Sequence, residues 1–266
     1  MYQSSNGKRL NADINGALNI LKKSNVVSLE ALTSISRGSS RQLKPSHVFF
    51  GGKLVGQDGK LLAKVEDFEI KANIEEGFVK VNLMKYNDLL LSNTELTTEE
   101  LPVKNGIIQL TDQNIKYVAV VNRHEGKDTI GLGLVRGFGT KTGALASTVS
   151  HDSHNLTIVY DTPENALKAA NELIQCGGGM CAVKDGEILH TLQLPLAGLI
   201  SLKPAEKLAV DNKKMKEANR ILGLTEMENP LLRIVTLALP VIPNAKMSDL
   251  GLVDVLNKKI VPLFAD

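Results

Sequence analysis

The segment 156–186 constrains the fold most, because it contains a strand, a helix and a second strand in succession. It begins with LTIVY, an apolar run typical of a buried strand. The helix that follows has clear end signals: Thr162 as N-cap, Pro163 at the first helical position and Gly177 beyond the last turn. MCAVKDG at 180–186 then predicts a second strand that runs into a turn. A unit of this kind requires a sheet with a helix packed on its face.

Strands predominate in the rest of the chain. The run YVAVV at 117–121 predicts a central strand, and the alternating FVKVNLM at 78–84 predicts a half-buried one. Residues 180–194 read as a hairpin, 204–222 as a second helix and 233–239 (RIVTLAL) as another apolar strand. These patterns predict an α+β fold in which mixed β-sheets are covered by two helices.

Composition excludes several classes of protein. The 266 residues are 43% hydrophobic and 23% charged, which is ordinary for a globular domain, and the net charge of +2 does not indicate a nucleic-acid binder. Apolar runs fall short of the roughly 18 residues of a membrane span, and the N-terminus lacks the apolar segment of a signal peptide. With only Cys176 and Cys181, which we interpret as reduced packing thiols, we expect a cytoplasmic protein.

Charge and composition divide the chain near Pro45. Residues 1–45 contain seven Lys or Arg and two acidic residues, a net charge of +5, so the remaining residues carry about −3 of the total of +2. We predict one helix after Asn11 followed by a flexible stretch up to residue 45, a β-hairpin at 46–66, and one large domain at 67–266.

A cluster of titratable side chains ends the glycine-rich run 131–155. His151, Asp152 and His154 lie directly before the strand LTIVY, and loops held by a rigid scaffold are where binding and catalytic groups collect. The alternative is that these side chains only hydrogen-bond the local backbone. The glycines themselves do not have the spacing of a dinucleotide-binding loop.

A second polar cluster follows the strand at 117–121. Arg123 and His124 either form a solvated turn or share a site with the histidine cluster. His190, within a predicted strand, is more simply a core or surface histidine. Asp249 and Asp254 are interpreted as helix or turn caps.

Four motifs resemble the C-terminal domain of bacterial adenine deaminases, from about Val48 to the C-terminus. They are GLVRGFGTKTGALASTVSHDSHN, CGGGM, LPLAGLIS and LALPVIPNAKMSDLGLVDV, and NRHEGKDTIGLG resembles the arginine–histidine segment of the same family. The resemblance implies hydrolysis of adenine to hypoxanthine and ammonia. It also implies an amidohydrolase barrel that carries manganese or iron and binds it through a His-x-His pair and further ligands.

This chain contains no His-x-His pair. We therefore expect a truncated chain that lacks the metal-binding barrel and is inactive alone, with adenine as the substrate of the intact enzyme and a separate barrel-bearing chain or a homo-oligomer as partner. Accessory catalytic roles are assigned to His151, Asp152 and His154. Substrate-binding roles are assigned to the four neighbouring polar residues Arg123, His124, Ser153 and Asn155. No metal ligand is assigned, although His151, Asp152 and His154 are acceptable ligands for zinc, iron or manganese.

The N-terminal segment resembles a different family. YQSSNGKRLNADINGALNILKK is similar to the C-terminal end of RNA-guided-nuclease-like transposases of insertion sequences, and Asp13 matches their last metal-binding carboxylate. One carboxylate cannot hold the two metals of such a site, so residues 1–45 are expected to be a remnant without nuclease activity. The alternative for the whole chain is a non-catalytic purine-binding or remnant domain fused to this tail.

Overall fold

A computed structural model describes residues 63–87, 93–124, 129–225 and 229–265 in full. Before residue 62 it describes only the backbone of short strands: β1 (Tyr2–Gln3), β2 (Arg9–Leu10), β3 (His47–Phe50), β4 (Lys53–Gln57) and β5 (Lys60–Leu61). β1 pairs with β2, and β3, β4 and β5 form an antiparallel sheet within the segment assigned to a β-hairpin. The helix predicted after Asn11, the flexible stretch up to residue 45, and Asp13 lie outside the described residues.

A nine-stranded mixed sheet forms the centre of the fold. Its strands are β6 (Glu76–Tyr86), β7 (Thr94–Lys104), β8 (Ile107–Ile108), β9 (Ile115–Val121), β10 (Ile130–Arg136), β11 (Ala144–Ser147), β12 (Leu156–Tyr160), β13 (Gly179–Lys184) and β14 (Glu187–Gln193). The order is β14-β13-β11-β12-β9-β10-β6-β7-β8, and only the β10–β6 pair is parallel. A 3-10 turn, Val65–Phe68, precedes β6. The predicted α+β class with a mixed sheet is confirmed.

Three helices follow in the described part of the chain: α1 (Pro163–Cys176), α2 (Ala205–Ile221) and α3 (Leu231–Leu237). The predicted ends of α1 are confirmed, since the Thr162 hydroxyl accepts from the backbone N–H of Asn165 and Gly177 is left-handed at φ 84°. The predicted strand–helix–strand unit is also present, but β11 is inserted between β12 and β13 and is antiparallel to both. None of these helices is long and apolar enough to cross a membrane.

Alternate residues of the central strand enter two different cores. Val118 and Val120 of β9 belong to a cluster with α2 and α3, whereas Tyr117 and Ala119 belong to a cluster with α1. Because side chains alternate across a strand, α1 covers one face of the sheet and the other two helices cover the opposite face.

The prediction of a strand at 233–239 is wrong, because most of this segment belongs to helix α3, Leu231–Leu237. A short, wholly apolar run does not distinguish a buried strand from a buried helix. Arg233 lies 2% exposed in this helix, and its guanidinium donates to the backbone carbonyls of Phe138 (3.0 Å) and Gly137 (2.7 Å). These contacts anchor the helix to a distant loop, and they are not visible in local sequence.

Two glycines of β10 allow a second sheet to pack closely on the first. This C-terminal sheet consists of β15 (Ala245–Ser248), β16 (Gly251–Asp254) and β17 (Lys259–Val261). A Cβ on Gly131 would lie 2.0 Å from the carbonyl oxygen of Ser248, and one on Gly133 would lie 2.7 Å from the Met247 methyl carbon. These glycines therefore serve sheet packing.

The strand register brings several loops to one end of the large sheet. The antiparallel pairs at this end are Val121 with Leu156, Ser147 with Thr157, Ser147 with Met180, and Gln193 with Gly179. The loops after β9, β11 and β14 consequently emerge side by side. The two polar clusters singled out in the sequence lie on the first two of these loops.

Candidate functional site

Arg123 joins three of the loops at this end of the sheet. It lies two residues beyond β9, and its backbone N–H donates to the side-chain oxygen of Asn155 at 3.3 Å. Its Nε donates to the carbonyl of His154, and its Nη2 donates to the carbonyl of Ala197 at 2.8 Å. Residues 148–155 are called the histidine loop below, and residues 194–201 the 194–201 loop. The guanidinium thus connects these two loops.

The surroundings of Arg123 are tight. Burial lowers its pKa to about 10, so the side chain is still charged near neutral pH. A Cβ on Gly198, which is left-handed at φ +74°, would lie 2.9 Å from both Nη atoms of Arg123 and 2.9 Å from the Thr148 hydroxyl. That hydroxyl donates to the carbonyl of Gly198 at 2.6 Å and accepts from the N–H of Gly179 at 2.8 Å. Glycine at position 198 is therefore required for this contact.

His124 connects the histidine loop to the C-terminal sheet. Its Nε2 lies 3.0 Å from the carbonyl oxygen of His154, which can only accept, so Nε2 carries a proton. Its backbone N–H donates to Asn122 at 3.2 Å, and the Asn122 amide in turn donates to the Asp249 carboxylate at 2.8 Å. The Thr129 hydroxyl donates to the same carboxylate at 2.7 Å.

The two aspartates interpreted as caps therefore differ. Asp254 accepts from the backbone N–H of Asn257 at 3.1 Å and caps its own turn, as predicted. Asp249 instead receives both donors described above from residues more than a hundred positions away in sequence. This difference arises because the turn at 249–250 packs beside the start of β10, against Gly131.

His154 is held in one place and in one protonation state. Its backbone is left-handed at φ 51°, its N–H donates to the carbonyl of Ser150 at 2.6 Å, and its Nδ1 accepts from the N–H of Ser150 at 3.3 Å. Burial lowers the pKa of His154, and the charges of His151 and Arg123 lower it further, against a smaller opposing effect of Asp152. The ring is therefore neutral near pH 7, with its proton on Nε2.

The tip of the histidine loop faces outward. The side chains of His151, Asp152 and Ser153 are all exposed, whereas Asn155 is only 4% exposed. The His151 backbone N–H donates to the Val235 carbonyl of α3 at 3.1 Å, and its ring lies edge-on to that of His154 with centroids 5.4 Å apart. An exposed tip of three polar residues, His151–Ser153, thus rests on a fixed base.

The described residues do not form a metal site. Across 63–87, 93–124, 129–225 and 229–265, no group of three His, Cys, Asp or Glu side chains is arranged to hold a metal ion. The donor set of the histidine loop therefore does not fit the manganese or iron that the family resemblance implies.

The two cysteines and His190 lie outside this site. Cys176 and Cys181 are free, and burial raises the pKa of Cys181 to about 12, so it is a protonated packing residue. His190 is half-buried in the middle of β14, opposite Ala182, away from the loops at the end of the sheet.

The sequence did not point to the third loop of the site as a source of contacts. Ala197 and Gly198 contribute through their backbone, and Thr148 contributes a hydroxyl that sequence patterns do not single out. One sequence signal could have indicated this loop. LPLAGLIS contains two small residues, Ala197 and Gly198, and glycine readily adopts a left-handed backbone.

Comparison with known proteins places this architecture in a family. The sequence profile described as the adenine deaminase C-terminal domain matches residues 92–259. The chain belongs to this family. Both loop clusters of the site, with the 194–201 loop, lie inside the matched residues.

Curated proteins named adenine deaminase match most of this chain. Adenine deaminase 2 of Carboxydothermus hydrogenoformans is 34% identical over 241 residues, covering 84% of this chain and 42% of the relative. Adenine deaminases of Moorella thermoacetica and Bacillus subtilis are 42% and 38% identical, covering 74% and 71% of this chain and 33% and 32% of each relative. The chain thus spans less than half the length of these relatives.

Proposed function

We propose that this chain acts as the C-terminal domain of an adenine deaminase, in the hydrolysis of adenine to hypoxanthine and ammonia. Its membership of the family and the names of its relatives support the reaction class. The observation that carries the proposal is the exposed tip His151–Ser153, which is held by the part-buried hydrogen bonds beneath it. A polar tip fixed in this way is suited to meet a ligand or a second protein surface.

The chemistry of the tip matches the proton transfers that the reaction needs. Water must lose a proton as it attacks C6 of the purine, and the amino nitrogen must gain one proton to leave as ammonia. An imidazole and a carboxylate, here those of His151 and Asp152, are side chains of the types that act as general acids and bases in such transfers. The Nε2–H of His154 and the hydroxyl of Ser153 are available as hydrogen-bond donors to ring nitrogens.

Supporting roles are proposed for the residues beneath the tip. Donors of Arg123 and His124 are directed to backbone carbonyls of the loops, and Asn155 accepts from the Arg123 backbone. We assign these three residues to shaping the substrate side of the tip through the loop backbone.

The manganese or iron of the intact family enzyme is proposed to be held by other residues than those of the histidine loop. A barrel-bearing chain, or a homo-oligomer, would bring such a centre next to the tip, and the setting would be cytoplasmic. On this basis the chain by itself does not deaminate adenine.

Ammonia release tests this proposal. The purified chain is mixed with adenine and Mn²⁺ or Fe²⁺, with and without an added polypeptide that carries the barrel of an adenine deaminase. We expect no release from the chain alone and release above that of the barrel polypeptide when both are present. Release by the chain alone would overturn the proposed dependence on a barrel.

A non-catalytic purine-binding domain is the second candidate function. It is favoured by the lack of a metal-ligand group in the described residues. In this case residues 1–45 would be a transposase-like remnant fused to a binding module, and that segment lies outside the described residues. Calorimetric binding of adenine by the chain, without any stimulation of a barrel polypeptide, would support this candidate over the first.

A further inference from the structure

The guanidinium of Arg123 bridges carbonyls from two distant parts of the chain. His154 is 31 residues and Ala197 is 74 residues away in sequence, and each offers one carbonyl oxygen to a different nitrogen of the same group. A planar guanidinium presents its donors in a fixed fork, so the positions of the two carbonyls are set relative to each other.

The 194–201 loop is built to deliver its carbonyl to this group. Ala197 and Gly198 are left-handed in succession, at φ 58° and φ 74°, and a left-handed backbone is unfavourable for alanine unless its surroundings hold it. The N–H groups of Leu199 and Ile200 both donate to the carbonyl of Leu196 at 3.1 Å, which closes the loop on itself. The carbonyl of Ala197, within this closed loop, accepts from Arg123.

The histidine loop receives the other end of the bridge. The carbonyl of His154 accepts from both Arg123 and His124, and the N–H of His154 donates back to Ser150. The exposed tip lies between Ser150 and His154. Any displacement of the His154 carbonyl therefore moves the point at which the tip is anchored.

We propose that Arg123 is a positioning residue that couples the 194–201 loop to the histidine loop, so that the first loop sets how the tip is presented. The relevance of the coupling to adenine rests on the proposed function. The coupling itself is a property of the chain and is measured without adenine.

Amide hydrogen exchange of the full chain tests the coupling through a double-mutant cycle. Wild type, Arg123→Met, Gly198→Ala and the double variant are compared at the amides of His154 and Ile200, one on each loop. Gly198→Ala pushes a Cβ against the guanidinium. In the wild-type background the exchange rate of the His154 amide should therefore rise about tenfold, which corresponds to the loss of about one hydrogen bond. In the Arg123→Met background the same substitution should raise exchange at His154 distinctly less, because only the contact with the Thr148 hydroxyl then remains.

Two results overturn the coupling. One is an equal effect of Gly198→Ala on the His154 amide in both backgrounds. The other is no effect on that amide in the wild-type background while Ile200 exchanges faster. Gly186→Ala is the control, because Gly186 is also left-handed, at φ +77°, but a Cβ there meets nothing within 4 Å.

A second variant tests the Arg123 bridge if Arg123→Met does not fold. Arg123→Lys keeps the positive charge but places a single ammonium where two carbonyls are bridged. We expect at least one of the two loops to lose protection about tenfold, whereas full protection of both loops would overturn the bridge. If the coupling is observed but no adenine assay responds to this chain, the proposed function fails and the coupling stands.

Discussion

The left-handed backbone of His154 determines what its side chain can do. At φ 51° the N–H of His154 donates to the carbonyl of Ser150 and its ring lies beside that of His151. Burial lowers the pKa of His154, and the neighbouring His151 and Arg123 lower it further. A histidine whose folded pKa lies below its unfolded value of about 6.5 binds fewer protons when folded. The chain should therefore lose stability as the pH falls below about 6.5.

The substitution His154→Asn tests this titration. Asparagine tolerates a left-handed backbone, so the loop should keep its path while the titrating ring is removed. We expect the free energy of unfolding, from urea denaturation between pH 5 and 7.5, to fall less steeply with decreasing pH in the variant than in wild type. Parallel pH profiles for the two proteins would show that His154 does not carry this dependence.

Position 198 tests the tight packing around Arg123. Gly198→Ala combines a left-handed alanine with contacts at 2.9 Å to Arg123 and Thr148, so we expect a loss of about 2 to 3 kcal/mol in unfolding free energy. Gly186→Ala has the same backbone requirement without the contacts and should cost about 1 kcal/mol. Equal losses would mean that the loop yields around Arg123 without penalty.

At the scale of elements, β10 determines how the C-terminal sheet docks. Gly131→Ala would place a Cβ 2.0 Å from a backbone oxygen, which cannot move without moving β15, whereas Gly133→Ala meets only the flexible end of Met247. We expect a loss of about 3 kcal/mol or more for the first variant and distinctly less for the second. Thermal unfolding of both variants measures the difference, and a larger loss for Gly133→Ala would contradict this packing.

Helix α3 depends on the buried Arg233. The guanidinium donates to two carbonyls, and its Cζ lies 3.8 Å from the centre of the Tyr86 ring. Arg233→Met would leave those carbonyls without this donor, at a cost of about 2 kcal/mol in denaturant unfolding. Leu232→Gln, at a neighbouring position that is 51% exposed, should be nearly neutral. If the two variants are equally stable, Arg233 does not hold the helix in place.

These two elements show what sequence could and could not predict. Helix α1 was predictable because its N-cap, its proline and its terminal glycine are local signals. Helix α3 was not, because a short apolar run is compatible with a buried strand or a buried helix, and Arg233 packs against a loop nearly a hundred residues away in sequence. Local sequence predicts an element whose capping residues lie at its own ends. It does not predict an element that depends on contacts with a distant part of the chain.

At the scale of the whole molecule, the order of the strands in the sheet brings the loops of the site together. The sequence pattern singled out the histidine cluster and the Arg123–His124 pair, and the strand register places both at one end of the sheet. The 194–201 loop joins them only because β13 lies beside β11, with β14 at its edge. That arrangement is a property of the complete sheet and leaves no mark on the loop's own sequence.

We propose that this domain acts through the tip His151–Ser153, beside a barrel supplied by other residues. The most direct measurement is the rate of ammonia release from adenine by a chimera in which residues 92–259 replace the matched segment of the Bacillus subtilis relative. The chimera should be active, and His151→Asn within it should lower the rate about 100-fold. Glu187→Gln, at an exposed position of β14, should leave the rate unchanged. An active chimera whose rate is unaffected by His151→Asn would contradict the account.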